Sequence, residues 1–214
     1  MTKMSLYVDM FEQAQKLRLE TMNRMRCWLR DTIPPEEWPD KDFSDKEILK
    51  EDYLPNDLRG LNDLIMQLEK DSIKFLKKEI VNHELWPYLN DIKGIDVKIA
   101  GRLLHHLGDL ERFPSPAHLW SYCGLDGPGW RKRPHNWTLT SICFNIAESF
   151  VKQRTPKYRE IYDIRKEYEA TKPPCEKCKE KGFEETCRPA HLNNKARRYA
   201  VKEFLKDLWI YART

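Results

Sequence analysis

Apolar residues recur at Leu54, Leu58, Leu61, Ile65 and Leu68, and the same beat runs on through Ser72 to Phe75. Steps of four and three in alternation put these positions on one stripe of an α-helix, a heptad seam interrupted by one serine. Charges such as Glu69, Lys70, Lys74 and Lys77 lie off the seam. An isolated helix of this kind gains too little in water, so the seam demands a partner along its length. Residues 5–30 supply a second helical pattern, with Leu6, Met10, Ala14, Leu17, Met25 and Trp28 mostly at three- and four-residue steps. The two helices can close into an antiparallel hairpin or pair with a second copy of the chain. The first pattern is too irregular to cover the whole seam, which favours a homodimer through residues 54–76. Between the helices, Pro34, Pro35 and Pro39 and the acids Glu36, Glu37, Asp40, Asp42 and Asp45 predict a loop over 32–53. One helical turn is expected there from Ser44, where Ser-Asp-Lys-Glu has the form of a capping box.

Residues 92–108 carry the second constraint. Gly94 precedes an apolar period at Ile95, Ile99, Leu103 and Leu107, with Ala100 and Leu104 beside it. That pattern predicts a helix whose first turn opens on Gly-Ile-Asp. The free amides of a helix start carry partial positive charge, and a glycine beside them allows an anion to approach the backbone. Lys93, Gly94, Ile95 and Lys98 are therefore candidate phosphate contacts. A glycine turn leading into an ordinary core helix gives the same local pattern. The following Gly108-Asp-Leu-Glu-Arg-Phe-Pro-Ser-Pro116 predicts a turn with an aromatic plug and a new helix over 116–122.

Residues 126–137 set Arg131, Lys132 and Arg133 between Trp130 and Trp137. Interleaved basic and aromatic groups suit contact with nucleic-acid backbone and bases, although a solvated loop pinned by its tryptophans has the same composition. An apolar helix is expected over 138–153 and a polar, aromatic-rich one over 157–170. Cys175-x2-Cys178 is then followed after eight residues by Cys187-x3-His191. Three thiols and an imidazole within 17 positions suit tetrahedral Zn2+ in a closed, structural site. His191 is the ligand that Cys123, Cys143 or His135 could replace in space. Cys27, Cys123 and Cys143 sit among apolar neighbours and are expected in cores. Beyond the cluster, Val201, Phe204, Leu205 and Leu208 mark one face of a last helix. Lys195, Arg198, Lys202 and Lys206 mark a basic stripe, usually only a solvated face, here a candidate DNA surface.

The whole chain bounds these expectations. Its 214 residues are 40% hydrophobic and 34% charged, with a formal net charge of +4. Residues 1–91 hold 14 Lys/Arg against 19 Asp/Glu, whereas 92–214 hold 24 against 15. A polyanion belongs with the second half. No apolar run approaches the ~20 residues of a membrane span, and the N-terminus has no signal-peptide core. A cytoplasmic location is the expectation. The expected fold class is all-α: a coiled-coil-like helical arm over 1–90, then a helix-hairpin-helix domain over 91–214 with a zinc-stapled segment at 175–191.

From Ile92 to Leu125, the strings Gly-Ile-Asp…Ala-Gly-Arg-Leu-Leu, Leu-Gly-Asp-Leu-Glu-Arg-Phe and Tyr-Cys-Gly-Leu resemble the C-terminal domain of the DEDD (Piv-like) insertion-sequence transposases. Asn136-Trp137…Phe150-Val151-Lys152 and Ala196-Arg197-Arg198…Lys202-Glu203-Phe204-Leu205 resemble its more divergent members. The likeness spans roughly residues 90–214 and implies a helix-hairpin-helix that binds DNA. The heptad helix is similar to the coiled coil preceding that domain in the family. Two departures accompany it. The family's RNase-H-like catalytic domain looks too large for the 91 residues before the hairpin, so no catalytic acid carries over. The family serine in the loop after the Gly-Leu motif has no counterpart in 126–137, with Ser121 before the loop and Ser141 after it. The resemblance implies a transposase-like, mobile-element DNA-binding protein related to DNA recombination and non-catalytic in itself. An active recombinase or nuclease using a partner's catalytic domain, or a protein-interaction module, are the alternatives.

Overall fold

The structure, a computed structural model, describes residues 2–37, 54–126 and 135–214. Among these residues it is all-α: nine α-helices, two short 3-10 turns and no strand. No helix of the described residues is long and apolar enough to cross a membrane. The chain divides into two units, residues 1–79 and 80–214.

The first unit is built from α1 (Lys3–Thr32) and α2 (Asn56–Ile80). Thr2 starts α1 by accepting the Ser5 amide on its hydroxyl at 3.1 Å. The pair is antiparallel. Tyr7 stacks on Phe75 with ring centroids 5.5 Å apart, Arg18 bonds Glu69 at 2.8 Å, and Met22, Met25 and Leu29 close with Leu54 and Leu58.

The buried line of α2 is not the expected one. Leu58, Ile65 and Ser72 do face inward in part or whole, but their companions are Asn62, Glu69 and Leu76 rather than Leu61, Leu68 and Phe75. Two heptad lines share three residues, and the helix uses the more polar of them. The reason lies in α1, whose inward line runs through Val8, Phe11, Arg18, Met22, Met25 and Leu29. Arg18 needs an acceptor, and turning α2 to offer Glu69 brings Asn62 inside. Leu61, Leu64, Leu68 and Phe75 are left exposed. On α1, Leu6, Leu17 and Trp28 are likewise outside rather than on the packed face, and Cys27 is exposed instead of in the core.

The second unit contains α3 (Trp86–Asp91), α4 (Val97–Leu107), α5 (Pro116–Tyr122), α6 (Trp137–Gln153), α7 (Pro156–Ala170), α8 (Glu176–Lys179) and α9 (Pro189–Tyr211). Helix α2 stops at Ile80, and Trp86-Pro87 opens a new helix with proline in its first turn. Helix α9 packs along α7 and α6 and touches α5, while α4 lies on α6. Phe150, Tyr158 and Phe204 form the aromatic centre, with centroids 4.6–5.7 Å apart. Ile142, Ile146, Leu103, Leu107, Leu119, Leu205 and Leu208 fill the space around it.

Helix α3 is tied to this core by Tyr88, whose hydroxyl lies 3.0 Å from that of Tyr158. Tyr158 donates in turn to Asp207 at 2.9 Å. Burial, followed by the Tyr88 contact, holds the Tyr158 hydroxyl well above the ordinary tyrosine range, so it stays a neutral donor. The Gly-Asp-Leu-Glu-Arg-Phe string has a matching physical account. Asp109 caps the short turn through the Glu111 amide at 2.8 Å. Leu110 and Phe113 are buried, and Arg112 folds back onto the Leu107 carbonyl at 2.7 Å. Trp209 and Arg213 of the C-terminus both donate to the Phe113 carbonyl, at 2.8 and 2.9 Å.

Candidate nucleic-acid interface and metal centre

Helices α3 and α4 and the turn between them form the expected helix-hairpin-helix. Gly94 has φ of +95°, a conformation most side chains avoid. A Cβ added there would meet Ser149 Oγ at 2.7 Å. The tightness has a purpose visible in the hydrogen bonds. Ser149 donates to the Gly94 carbonyl at 2.7 Å and Thr155 to the Lys93 carbonyl at 2.6 Å. The joint between α6 and α7 therefore pulls these two carbonyls inward. In a planar trans peptide the N–H points opposite to the carbonyl, so the Gly94 amide is turned outward. Asp96 caps α4 through the Ile99 amide at 2.8 Å, which leaves the first-turn amides of Val97 and Lys98 beyond the reach of intrahelical acceptors. Lys93 and Lys98 are both exposed beside this edge. Ile95 has a different part. It is 7% exposed and its amide donates to the Ile92 carbonyl at 3.0 Å, so it anchors the turn from within.

Arg131, Lys132 and Arg133 lie outside the described residues. Of the basic stripe on α9, Lys195 is engaged internally. Its ammonium bonds Glu169 at 3.1 Å and lies 3.6 Å from Cys187 Sγ. Arg198 and Lys202 are half-buried and line a concavity with Arg165, Glu169, Lys172, Lys195 and Tyr199. Glu169 is 4% exposed, and Arg165 reaches it at 2.5 Å. Burial alone would raise the Glu169 carboxyl, but Lys195 and Arg165 bring it below the ordinary range. The contributors on and just beyond α7 do not form a basic stripe in the sequence. Arg165 and Glu169 lie on the helix and Lys172 two residues past its end, and the interposed acids make the segment read as an ordinary solvated face.

Cys175, Cys178, Cys187 and His191 come together with all four ligand atoms within 4.8 Å of one another, so these residues could hold a metal ion. His191 Nδ1 lies 3.4 Å from Cys175 Sγ and 3.2 Å from Cys178 Sγ. Tetrahedral zinc with sulfur and nitrogen ligands has edges of about 3.5–3.8 Å, and the four atoms need only small shifts to meet it. The backbone takes part, since the Cys175 amide donates to Cys187 Sγ at 3.3 Å. Burial first, then the charges of Lys195, Arg188 and Arg198, hold His191 below the ordinary histidine value. That keeps the imidazole neutral, as a ligand must be. The alternatives for the fourth ligand are spent elsewhere: Cys123 and Cys143 are buried, and the His135 ring packs on Trp137 at 4.3 Å. Gly182, with φ of +79°, makes the turn between the two ligand pairs.

Residues 87–128, from the first turn of α3 through the end of α5 to Pro128, match the family model described as "Transposase IS116/IS110/IS902 family". The matched stretch covers α3 from its second residue, the hairpin turn, α4 and the Gly-Asp-Leu-Glu-Arg-Phe turn. No curated protein and no solved structure matches the chain.

Proposed function

We propose that this chain is a transposase-related DNA-binding protein that grips the phosphate backbone at its hairpin. One observation carries the reading: Thr155 holds the Lys93 carbonyl inward, so the outward Gly94 amide, the first-turn amides of α4 and the exposed Lys93 and Lys98 share one edge. Such an edge recognises phosphate oxygens and no base, so binding is largely independent of sequence. The family match over the same residues supports DNA as the polyanion. The basic balance of residues 92–214 supplies the long-range attraction. The metal of the Cys175, Cys178, Cys187 and His191 set is zinc in this proposal, and its role is structural. All four positions are filled by protein, which leaves no open position for a reacting water. The chain is non-catalytic in itself, because the loop over 126–137 lacks the serine that the family resemblance would require.

The test is a fluorescence-anisotropy titration of labelled duplex DNA across salt. Lys93→Gln with Lys98→Gln is expected to weaken binding to unrelated sequences alike, and to flatten the slope of log affinity against log salt by about 2. An unchanged slope would remove the hairpin from the interface. Incubating the same duplex with a divalent metal checks the non-catalytic reading, and metal-dependent strand cleavage would overturn it.

The chain acts as a homodimer through residues 54–76 in this reading. The exposed row Leu61, Leu64 and Leu68 supports it, with Leu64 70% exposed. A row of leucines on the outer face of a helix is the apolar stripe that a second helix covers. Leu64→Glu with Leu68→Glu is expected to convert dimer to monomer in sedimentation velocity without loss of helicity. A wild-type chain that sediments as a monomer at high concentration would refute it.

A further inference from the structure

The concavity between α7 and α9 has a composition that packing alone does not explain. Arg165, Lys172, Lys195, Arg198 and Lys202 converge on a space of about 320 Å³ around a single carboxylate, Glu169. Five cations against one anion leave the bowl strongly positive. Glu169 is already shared among Arg165 at 2.5 Å, Lys195 at 3.1 Å and Lys172 at 3.6 Å. Among the described residues lining the bowl, nothing of opposite charge remains for Arg198. Among the described residues, Asp126 is what offsets the burial of Lys202 and the repulsion of Arg198 and Arg165. The Nε of Arg165 is shielded from solvent and has no acceptor among the described residues. A folded chain tolerates such crowding at a place where an anion arrives.

Tyr199 lines the same space, and further aromatic rings sit against its cations. The Arg165 guanidinium carbon lies 4.5 Å from the centre of the Tyr199 ring and 5.0 Å from that of Tyr168. Both tyrosines are exposed. Lys172 Nζ lies 4.1 Å over Tyr168, and Lys202 Nζ lies 5.0 Å over Trp120. Cations in a recess lined by the exposed Tyr199 suit a group that combines a phosphate with a flat ring. A duplex offers neither in the needed form. Its bases are stacked on one another, and its phosphates lie on a stiff convex surface that cannot enter a recess. An unpaired nucleotide offers both, with its phosphate free to enter and its base face free to stack.

We infer that the bowl of Arg165, Lys172, Lys195, Arg198 and Lys202 receives the phosphate of an unpaired nucleotide, whose base stacks at Tyr199. The inference shares with the proposed function only the premise that the ligand is nucleic acid, and it concerns a surface separate from the hairpin turn. Lys195 also touches Cys187 Sγ, so the metal centre positions one of the bowl's cations.

The experiment uses the full, metal-loaded chain and three labelled probes: a short single strand of DNA, the same sequence as RNA, and the DNA duplex. Tyr199→Ala keeps every charge and is expected to weaken single-strand binding by about tenfold with duplex binding unchanged. Tyr199→Phe is expected to bind as the parent does. Arg198→Gln with Lys202→Gln is expected to weaken single-strand binding by about tenfold or more and duplex binding by less than about twofold. Melting curves and metal content equal to the parent's qualify each variant, and Tyr199→Phe guards against a fold defect in the alanine variant. The DNA and RNA arms identify the source of the nucleotide. Equal losses on single strand and duplex, or no loss with Tyr199→Ala, would overturn the assignment, as would a parent chain that binds neither single strand. Lys93→Gln with Lys98→Gln reads the hairpin separately, since that pair is expected to affect the duplex. If the hairpin variant leaves duplex affinity unchanged while Tyr199→Ala lowers single-strand affinity, the hairpin proposal fails and the bowl stands.

Discussion

Cys178→Ser is expected to abolish binding of one equivalent of zinc and to lower the stability of the second unit by about 3 kcal/mol or more. For a domain of this size that corresponds to a fall in Tm of roughly 6–12 °C. The size follows from what the centre holds. Residues 172–188 contain one short helix, Glu176–Lys179, and few apolar side chains. The small core there is Cys178, Cys187 and Leu192 with Cys175 beside them. Three of these four residues are candidate ligands, so losing the metal removes both the cross-link and the core. Phe204, Leu205 and Leu208 on α9 pack on α6 and α7 independently of the metal, so the damage is expected to be local. Plasma emission spectroscopy of the purified chain and calorimetry with and without a chelator check this. A parent protein with no zinc and a chelator-insensitive melt would end the structural-zinc reading. Hydrogen exchange gives the spatial check: protection is expected to be lost over residues 172–195 first and retained over α6.

Gly94→Val is expected to destabilise the second unit by about 3 kcal/mol or more, and Gly94→Ala by about half as much. Two costs add. The backbone at φ of +95° is strained for any side chain, most of all a β-branched one. The new Cβ also meets Ser149 Oγ at 2.7 Å and Gln153 Cγ at 3.3 Å. Relief requires Ser149 to leave the Gly94 carbonyl, which loosens the turn that presents the outward Gly94 amide. Stability and duplex affinity are therefore expected to fall together in this series. Thr155→Ala separates them. It frees the Lys93 carbonyl, whose peptide carries the Gly94 amide, and leaves the glycine itself unchanged, so affinity is expected to drop with a smaller loss of stability. Chemical denaturation alongside anisotropy measures both. A Gly94→Val chain as stable as the parent would contradict the described turn.

Much of this molecule was legible from residue order because local rules carried it. The helices over 116–122, 138–153 and 157–170 appear within one residue of those expectations, since proline at the first turn and N-caps such as Asn136 mark their starts. The Cys175, Cys178, Cys187 and His191 cluster was legible for a related reason. Its spacing brings four ligands into range through short loops, with no help from the distant fold. The hairpin was legible through Gly94, whose place before an apolar period announces a tight turn.

Other features depended on partners far away in sequence. The α2 seam has two lines that differ by one residue, and periodicity cannot choose between them. Arg18, 51 positions from Glu69, makes the choice by demanding a carboxylate. The inward pull of the hairpin carbonyls comes from Ser149 and Thr155, 55 and 62 positions downstream. The division of the basic stripe on α9 is also tertiary. Lys195 turns to Glu169 while Arg198 and Lys202 face a bowl completed by α7.

What residue order determined by itself was the all-α class, the tight turn at Gly94 and the ligand set from Cys175 to His191, because each rests on contacts within about one turn or one loop. What only the tertiary structure decided was which face each helix buries and which cations remain available. Those outcomes depend on pairing charges and hydroxyls that the chain brings together only after its helices have packed.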